Sequence, residues 1–239
     1  MLRIDQLRLL PGEPEAALLS KCARLLRVEP SVLTDLTVLR RAIDAREGLT
    51  FVYTVAVSAP QEAALLRRCR DKRVTAYAPE RYALPAPVAA PEVRPIVVGA
   101  GPAGLFAALV LARCGARPIL LERGRCVEQR QRDVQRFWAT GELDTESNVQ
   151  FGEGGAGAFS DGKLNTGTRD VRHRFIMEQL VSCGAPESIL TDALPHVGTD
   201  QLHIAVPALR RQLLEAGADI RSGTRLEGLT VQDGAVTAV

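Results

Sequence analysis

Hydrophobic and polar positions along the first third of the chain predict a small mixed α/β domain. Period-two alternation predicts strands over about residues 2–10, 36–45, 49–58 and 73–79. The helical period predicts helices over about residues 13–26 and 60–71. The resulting order is β-α-β-β-α-β. This order is typical of two helices on one face of a four-stranded antiparallel sheet, the ferredoxin-like α+β arrangement.

A proline-rich segment separates this pattern from the rest of the chain. The segment contains Pro85, Pro87, Pro91 and Pro95 and has few signals for regular structure, which favours a semi-rigid extended connector. We therefore expect an N-terminal domain over residues 1–83, a linker over 84–94 and a second domain over 95–239.

The second domain opens with a buried strand, a glycine turn, an apolar helix and another strand, over residues 94–124. In this GxGxxG pattern, Gly99 allows the tight turn and Gly101 lets the backbone approach a pyrophosphate. Gly104 permits close packing of the helix on the strand. Pro102 fits the first helical turn, whose free amides and dipole favour an anion.

An acidic residue ends the second of these strands. Glu122 follows Gly99 by 122 − 99 = 23 residues, a spacing at which a carboxylate can accept hydrogen bonds from both hydroxyls of an adenosine ribose. A 2′-phosphate at that place would meet a like charge. Strand, turn, helix, second strand and acidic residue together predict a partial Rossmann-type FAD/NAD(P)-binding domain.

A second glycine-rich segment, over residues 147–165, distinguishes FAD from NAD. It contains Gly152, Gly154, Gly155, Gly157 and Gly162. Close approach of the backbone to a ligand explains so many glycines better than ordinary packing does. The interleaved Phe151, Phe159 and Leu164 argue against a freely solvated surface loop. An NAD domain of this type usually continues with further short βα units, so the segment favours FAD.

These motifs resemble a known family. The GAGPAG turn with Glu122, the loop NVQFGEGGAGAFSDGKL and the later PHVGTD run look like the uncharacterised bacterial FAD-dependent dehydrogenases related to glutathione-reductase-like flavoproteins. The similarity extends into the N-terminal domain through Ala42–Arg46 and Phe51–Thr54. It implies an FAD-dependent oxidoreductase that transfers a hydride through flavin N5, with NAD(P)H as a candidate electron donor. It also implies an amino-terminal fragment of a longer, apparently truncated protein.

The resemblance further implies which residues contact the cofactor. The ADP half of FAD would lie on Gly99, Gly101, Pro102, Ala103, Gly104, Glu122 and Arg123. The second glycine-rich segment would line the pyrophosphate and flavin through Gly154, Gly155, Gly157, Phe159, Ser160, Gly162, Lys163 and Leu164. The family has threonine where this chain has Ala158, which removes one hydroxyl contact.

The resemblance does not assign catalytic residues, and three polar side chains are the candidates: Asp161, Lys163 and His196. Lys163 can stabilise negative charge on a reduced flavin, and His196 can exchange a proton with a substrate. A lysine that caps a loop and a histidine in a turn before a helix are the more common roles for such residues.

Composition favours a soluble, cytoplasmic protein with small-molecule ligands. The 30 Lys and Arg nearly balance the 28 Asp and Glu, for a formal net charge of +2, which argues against capture of nucleic acid or membrane by the whole chain. Five scattered cysteines without a CxxC pair, and three histidines, predict neither a disulfide framework nor a metal site. No window approaches the ~20 apolar residues that span a bilayer.

Two alternatives stay open at this point. The chain can be an NAD-dependent dehydrogenase, or a non-catalytic dinucleotide-binding protein whose N-terminal domain binds RNA or protein. Phe51 and Tyr53 are predicted core residues, because they share a strand face with Val55. A better candidate for an interaction patch is the cationic run Arg67, Arg68, Arg70, Lys72 and Arg73, although such runs at a helix end are usually just solvated.

Overall fold

The computed structural model describes residues 1–160, 162–163 and 170–239. The chain forms two compact units. Unit 1 comprises Met1–Arg81 with Glu187–Pro195, and unit 2 comprises Tyr82–Pro186 with His196–Val239. Within the part of the chain that the structure describes, each helix lacks the length or the apolarity needed to traverse a membrane.

Unit 1 is built on a four-stranded antiparallel sheet with strand order β2-β3-β1-β4. Its elements are β1 (Leu2–Leu9), α1 (Ala17–Leu26), β2 (Thr34–Asp44), β3 (Thr50–Ser58), α2 (Glu62–Arg68) and β4 (Val74–Ala76). Their order along the chain is the one that the polarity pattern predicts. Helix α1 begins at Ala17, four residues later than predicted, and the last strand is shorter.

One hydrophobic core joins both helices of unit 1 to the same face of the sheet. The buried residues of β1 are Leu2, Ile4, Leu7 and Leu9, with one irregularity in the alternation between Ile4 and Leu7. Helix α1 contributes Leu18, Cys22 and Leu26 to the same core, and α2 contributes Leu65. On β3, Tyr53 is buried with Val55 and Val57, and Phe51 packs partly against them. The interpretation of these aromatic side chains as core therefore agrees with the structure. Leu49, which precedes the strand, is half exposed.

A short segment from late in the chain completes unit 1. Residues 187–195 lie along the edge strand β2, where the Arg41 amide donates to the Thr191 carbonyl over 2.7 Å and the Ala193 amide donates back to Arg41 over 2.8 Å. The Arg41 guanidinium also pairs with Asp192 at 2.8 Å. Because this pairing joins positions far apart in sequence, local periodicity does not reveal it.

Unit 2 contains a parallel sheet with strand order β5-β6-β7. Its elements are β5 (Ile96–Val98), α3 (Pro102–Arg113), β6 (Ile119–Glu122), α4 (Val127–Thr140), α5 (Val171–Ser182), α6 (Thr199–Glu215), β7 (Asp219–Ser222) and a hairpin of β8 (Thr230–Gln232) with β9 (Ala235–Ala238). Among the described residues β5 pairs only with β6, so Ile96 and Val98 at this edge are exposed.

Helices α3 and α6 form the core of unit 2 against β6. Leu105, Leu109 and Ala112 of α3 are buried with Leu120 of the strand. From α6 the buried contributors are Ala205, Val206, Leu209 and Leu213. This packing fixes the first turn of α3 at the carboxyl end of β5, which is where parallel sheets bind ligands.

Two helices of unit 2 differ from the sequence prediction. Helix α5 was not predicted, because its apolar side chains are spread around the helix instead of lying on one face. It begins after Asp170, whose side chain accepts a hydrogen bond from the Arg172 amide over 2.8 Å. The apolar pattern from Leu209 to Ala216 predicts only the second half of helix α6, which starts at Thr199. Pro207 lies inside this helix without ending it.

Candidate functional site

The glycine turn after β5 has the geometry that the GxGxxG pattern requires. Gly99 has a φ of +93°, a left-handed conformation that favours glycine. A Cβ on Gly104 would lie 1.8 Å from the Gly99 carbonyl oxygen, so only glycine fits there. Pro102 and Ala103 are exposed in the first turn of α3. The amides at this helix start are therefore accessible to an anion.

Glu122 is buried directly beneath this turn. One carboxylate oxygen accepts a hydrogen bond from the Ala100 amide over 2.7 Å, and the other accepts one from the Gly124 amide over 2.8 Å. The carboxylate thus ties the glycine turn to the end of β6, a role that the sequence prediction did not include. Each oxygen retains a further lone pair for a ligand hydroxyl.

A polar cleft of about 510 Å³ opens beside the ends of β6 and β7. Its lining is Arg123, Arg125, Asp144, Glu146, Ser147, Gly223, Arg225 and Glu227. Arg123 donates to Glu146 over 3.1 Å, and its guanidinium lies 3.9 Å from the centroid of the Phe151 ring. Arg123 is therefore held beside Glu122, at the place predicted for the adenosine part of the dinucleotide.

The second glycine-rich segment contacts the first one. The Gly154 amide donates to the Ala100 carbonyl over 2.8 Å. A Cβ on Gly155 would lie 3.3 Å from the Gly101 Cα and 3.2 Å from the Pro102 Cδ. Two glycine bends that are far apart in sequence thus meet over the start of α3, as expected if both contact one ligand.

Arg130, on the buried face of α4, holds the second bend in shape. Its side chain is fully buried. The guanidinium donates to five main-chain carbonyls, at 2.7 to 3.3 Å, those of Asn148, Val149, Gly152, Glu153 and Gly155. It also lies 4.4 Å from the centroid of the Phe159 ring. Burial lowers the pKa of Arg130 to about 10, so the group stays charged at neutral pH.

A carboxylate network anchors the same bend to α4 and α6. The buried Glu153 carboxylate accepts hydrogen bonds from the Val127 amide over 2.9 Å and from Arg210 over 2.6 Å. Burial raises the pKa of Glu153 above its ordinary value. Glu128 also pairs with Arg210, and this hydrogen bond lowers the pKa of Glu128 to about 2. The start of α4 is thereby fixed to the glycine-rich segment.

Helix α6 fixes the turn at Ala156–Phe159, which follows the second glycine bend. The Ala158 carbonyl lies 2.8 Å from His203 Nε2, and the His203 ring packs against Phe159 with centroids 4.9 Å apart. Ala158 itself is fully buried, so a threonine hydroxyl at this position would face the interior. By contrast, a Cβ on Gly157 would have no atom within 4 Å, and Ser160 is exposed.

The catalytic candidates are partly brought together. Lys163 pairs with His196 in an isolated antiparallel bridge, and both residues are exposed. Next to them, the Val197 amide donates to the Gly162 carbonyl over 3.0 Å. A Cβ on Gly162 would lie only 2.6 Å from the Gly198 backbone nitrogen, so the two bridged segments are in close contact. The other predicted residues, Asp161 and Leu164, lie outside the described residues.

Sequence reasoning missed the residues that hold the site together, namely Arg130, Glu153, His203 and Arg210. For Arg130 a signal was present. It stands three residues after Val127 and four before Val134, on the face of α4 that both valines bury. An arginine at such a core-facing position needs several internal acceptors. Those acceptors are main-chain carbonyls, which carry no sequence signature.

Comparison with known proteins supports a flavin cofactor. Residues 92–136 match a family model described as FAD binding domain, and this segment contains the glycine turn, Glu122 and Arg130. Residues 1–58 match a model described as Domain of unknown function (DUF8436). The match supports FAD binding and, at a coarse level, a flavoprotein oxidoreductase.

A bacterial relative aligns along the whole chain. A protein of Clostridium beijerinckii, named as an uncharacterized protein, is 38% identical over 241 residues, which cover 100% of this chain and 45% of that protein. The chain therefore spans less than half the length of this relative, and its similarity includes both units.

Proposed function

We propose that unit 2 is a Rossmann-type module that holds the FAD of a flavin-dependent oxidoreductase. The observation that carries this proposal is the contact between the two glycine bends, through the hydrogen bond from Gly154 to Ala100. The family match over residues 92–136 supports the same cofactor. NAD domains need only the first bend, so the second bend favours FAD.

The residues present fit an ADP group at the first bend. Gly101 has no side chain, and a Cβ built on it would lie 4.0 Å from its nearest neighbour, the Gly155 Cα. The backbone at Gly101 therefore leaves space for a pyrophosphate. The exposed first turn of α3 would direct its amides at the phosphates. Glu122 would accept hydrogen bonds from the ribose hydroxyls, and Arg123 would border the adenosine.

The second bend would border the flavin. When bound, FAD supplies a hydride acceptor or donor at its N5 atom. Phe159 is held by Arg130 and His203, and would exclude water on one side of the site. The bridge that joins Lys163 to His196 places a cation and a titratable ring at neighbouring positions, where the lysine would stabilise negative charge and the histidine would hold a proton.

The same proposal includes the organisation of the chain. We assign residues 1–83 to a ferredoxin-like domain, on the strand order β2-β3-β1-β4 and the two helices that share its core. Residues 84–94 connect it to the dinucleotide-binding domain over residues 95–239.

The test is an equilibrium titration of the purified chain with FAD, followed by the change in flavin absorbance and fluorescence. We expect saturable binding of one FAD per chain that excess NAD does not reverse. Failure of the protein to take up FAD would contradict the proposal. Displacement of FAD by NAD would instead support the NAD-dependent alternative.

A further inference from the structure

A second concave surface lies in unit 1, where the proposed function makes no use of it. It is a groove of about 930 Å³ bordered by β1, the end of α1 and the turn that follows α2. Leu7, Leu25 and Leu26 line its interior. Seven cationic side chains surround them: Arg8, Lys21, Arg24, Arg27, Arg68, Arg70 and Arg73.

The positive charge of this groove is only partly compensated. Asp71 is the one carboxylate among its described lining residues, and it pairs with Arg73 at 2.7 Å. Two more cations have partners outside the lining, in the pairs of Arg8 with Asp44 and of Lys21 with Glu13, each at 3.1 Å. The groove therefore keeps an excess of positive charge after these pairs are counted.

Three arginines remain available for a ligand. Arg24, Arg27 and Arg70 are exposed, and none of them has a carboxylate partner among the residues that the structure describes. Like charges that line one groove repel one another, and an anion between them relieves this repulsion. Such a cluster on a stable fold indicates a binding surface for a multiply charged anion.

The backbone that carries these side chains is fixed. Arg27 ends α1 in a left-handed conformation, with a φ of +55°, and its amide caps the helix. Arg68 donates to the carbonyls of Leu26 and Arg27, each over 3.3 Å. This contact neutralises the negative end of the α1 dipole, which would otherwise repel an anion in the groove.

The lining also indicates the kind of anion. The groove has the volume of a small-molecule site, within the usual ~300–1,000 Å³. Among its described lining residues there is no aromatic side chain, so the groove offers no platform on which nucleotide bases can stack. Arginine side chains bind phosphate oxygens through paired N–H groups. We propose that unit 1 binds a small polyphosphate anion in this groove.

The test is calorimetric titration of the whole chain with inorganic tripolyphosphate, in saturating FAD so that the glycine turn is occupied. The test variant combines Arg24→Ala, Arg27→Ala and Arg70→Ala, and we expect at least a tenfold loss of affinity. The matched control combines Arg40→Ala, Arg67→Ala and Lys72→Ala, which remove three exposed cations of unit 1 that do not line the groove. We expect the control to bind within twofold of the unsubstituted protein.

Three results would overturn the proposal. The first is an absence of tripolyphosphate binding at low salt. The second is an equal loss in the two variants, which would show general charge attraction rather than a site. The third is tighter, groove-dependent binding of a single-stranded oligouridylate than of tripolyphosphate, which would identify RNA as the ligand. Far-ultraviolet circular dichroism of both variants verifies that the exposed substitutions leave the fold intact.

Discussion

Arg130 shows how one buried side chain can determine the shape of a glycine-rich segment. Glycine gives the segment its close contacts but leaves it with high conformational entropy in the unfolded chain. The guanidinium compensates by donating to five carbonyls of this segment, of which those of Gly152 and Gly155 also accept main-chain amides. A single residue on α4 thereby holds the second bend against the first.

Replacement of Arg130 by methionine should therefore destabilise unit 2 strongly. The substitution keeps most of the buried aliphatic chain but removes all the guanidinium hydrogen bonds to these carbonyls, so we expect a loss of about 3 to 5 kcal/mol in the free energy of unfolding. Urea denaturation measures it. The control is Arg132→Met, at an exposed position of the same helix, with an expected change within ~0.5 kcal/mol. Equal effects of the two changes would refute the role given to Arg130.

Gly104 and Gly157 make a matched pair for the steric argument. A methyl group on Gly104 meets the Gly99 carbonyl at 1.8 Å, whereas one on Gly157 meets no atom within 4 Å. We expect Gly104→Ala to lower the free energy of unfolding by at least ~1 to 3 kcal/mol, because backbone must move. Gly157→Ala should leave it nearly unchanged or slightly raised. Thermal and urea unfolding of both variants would show whether this order holds.

The ion pair between Glu128 of α4 and Arg210 of α6 stabilises the folded protein in a pH-dependent way. The hydrogen bond from Arg210 lowers the pKa of Glu128 from 4.5 to about 2, so the folded state favours the carboxylate. The stabilisation is thus present above about pH 4.5 and disappears as the pH falls toward 2. Because Glu128 is largely exposed, solvent screening limits the contribution to about 1 kcal/mol.

Glu128→Gln should accordingly lose up to about 1 kcal/mol of stability at pH 7 and converge with the unsubstituted protein near pH 2. The charge of Glu128 also helps to raise the pKa of Glu153, which shares Arg210 with it, so the comparison measures the combined effect on both carboxylates. Unfolding free energies at several pH values provide the measurement. Glu142→Gln is the control, at an exposed position of the same region that has no ion pair among the described residues. A difference that persists unchanged at low pH would contradict the assignment.

Elements with a strong local signal were predictable, and those set by distant contacts were not. The alternation in β1 and the glycine turn with its flanking strands carry their own patterns, so their positions agree with the structure. Helix α5 and the first half of α6 carry mixed patterns and depend on packing. The pairing of residues 187–195 with β2 depends entirely on the tertiary fold.

The candidate site follows the same division at the scale of the molecule. Glycine positions could be predicted because close backbone contacts exclude every other residue, as at Gly104. The supporting contacts could not, since Arg130 binds main-chain atoms. Charge is also distributed differently from what the near-neutral total suggests. The net charge of the whole chain is only +2, yet the groove of unit 1 is strongly basic. The overall composition does not reveal such a local cluster of charge.

Because Glu122 also ties the glycine turn to β6, its replacement would affect folding and ligand binding together. Gly101 separates the two effects. It precedes α3 with ordinary extended angles, φ −71° and ψ 177°, where serine is a favourable helix cap. A Cβ there would lie 4.0 Å from its nearest protein atom, the Gly155 Cα, and the serine side chain would occupy the space proposed for the pyrophosphate.

The most direct measurement is therefore the FAD dissociation constant of the Gly101→Ser protein, taken beside its free energy of unfolding. Gly228→Ala, at an exposed glycine with open space around it, is the control. We expect Gly101→Ser to fold as stably as the unsubstituted protein, within ~0.5 kcal/mol, and to bind FAD at least tenfold more weakly. Unchanged FAD affinity in this stable variant would show that the two glycine bends do not enclose the diphosphate.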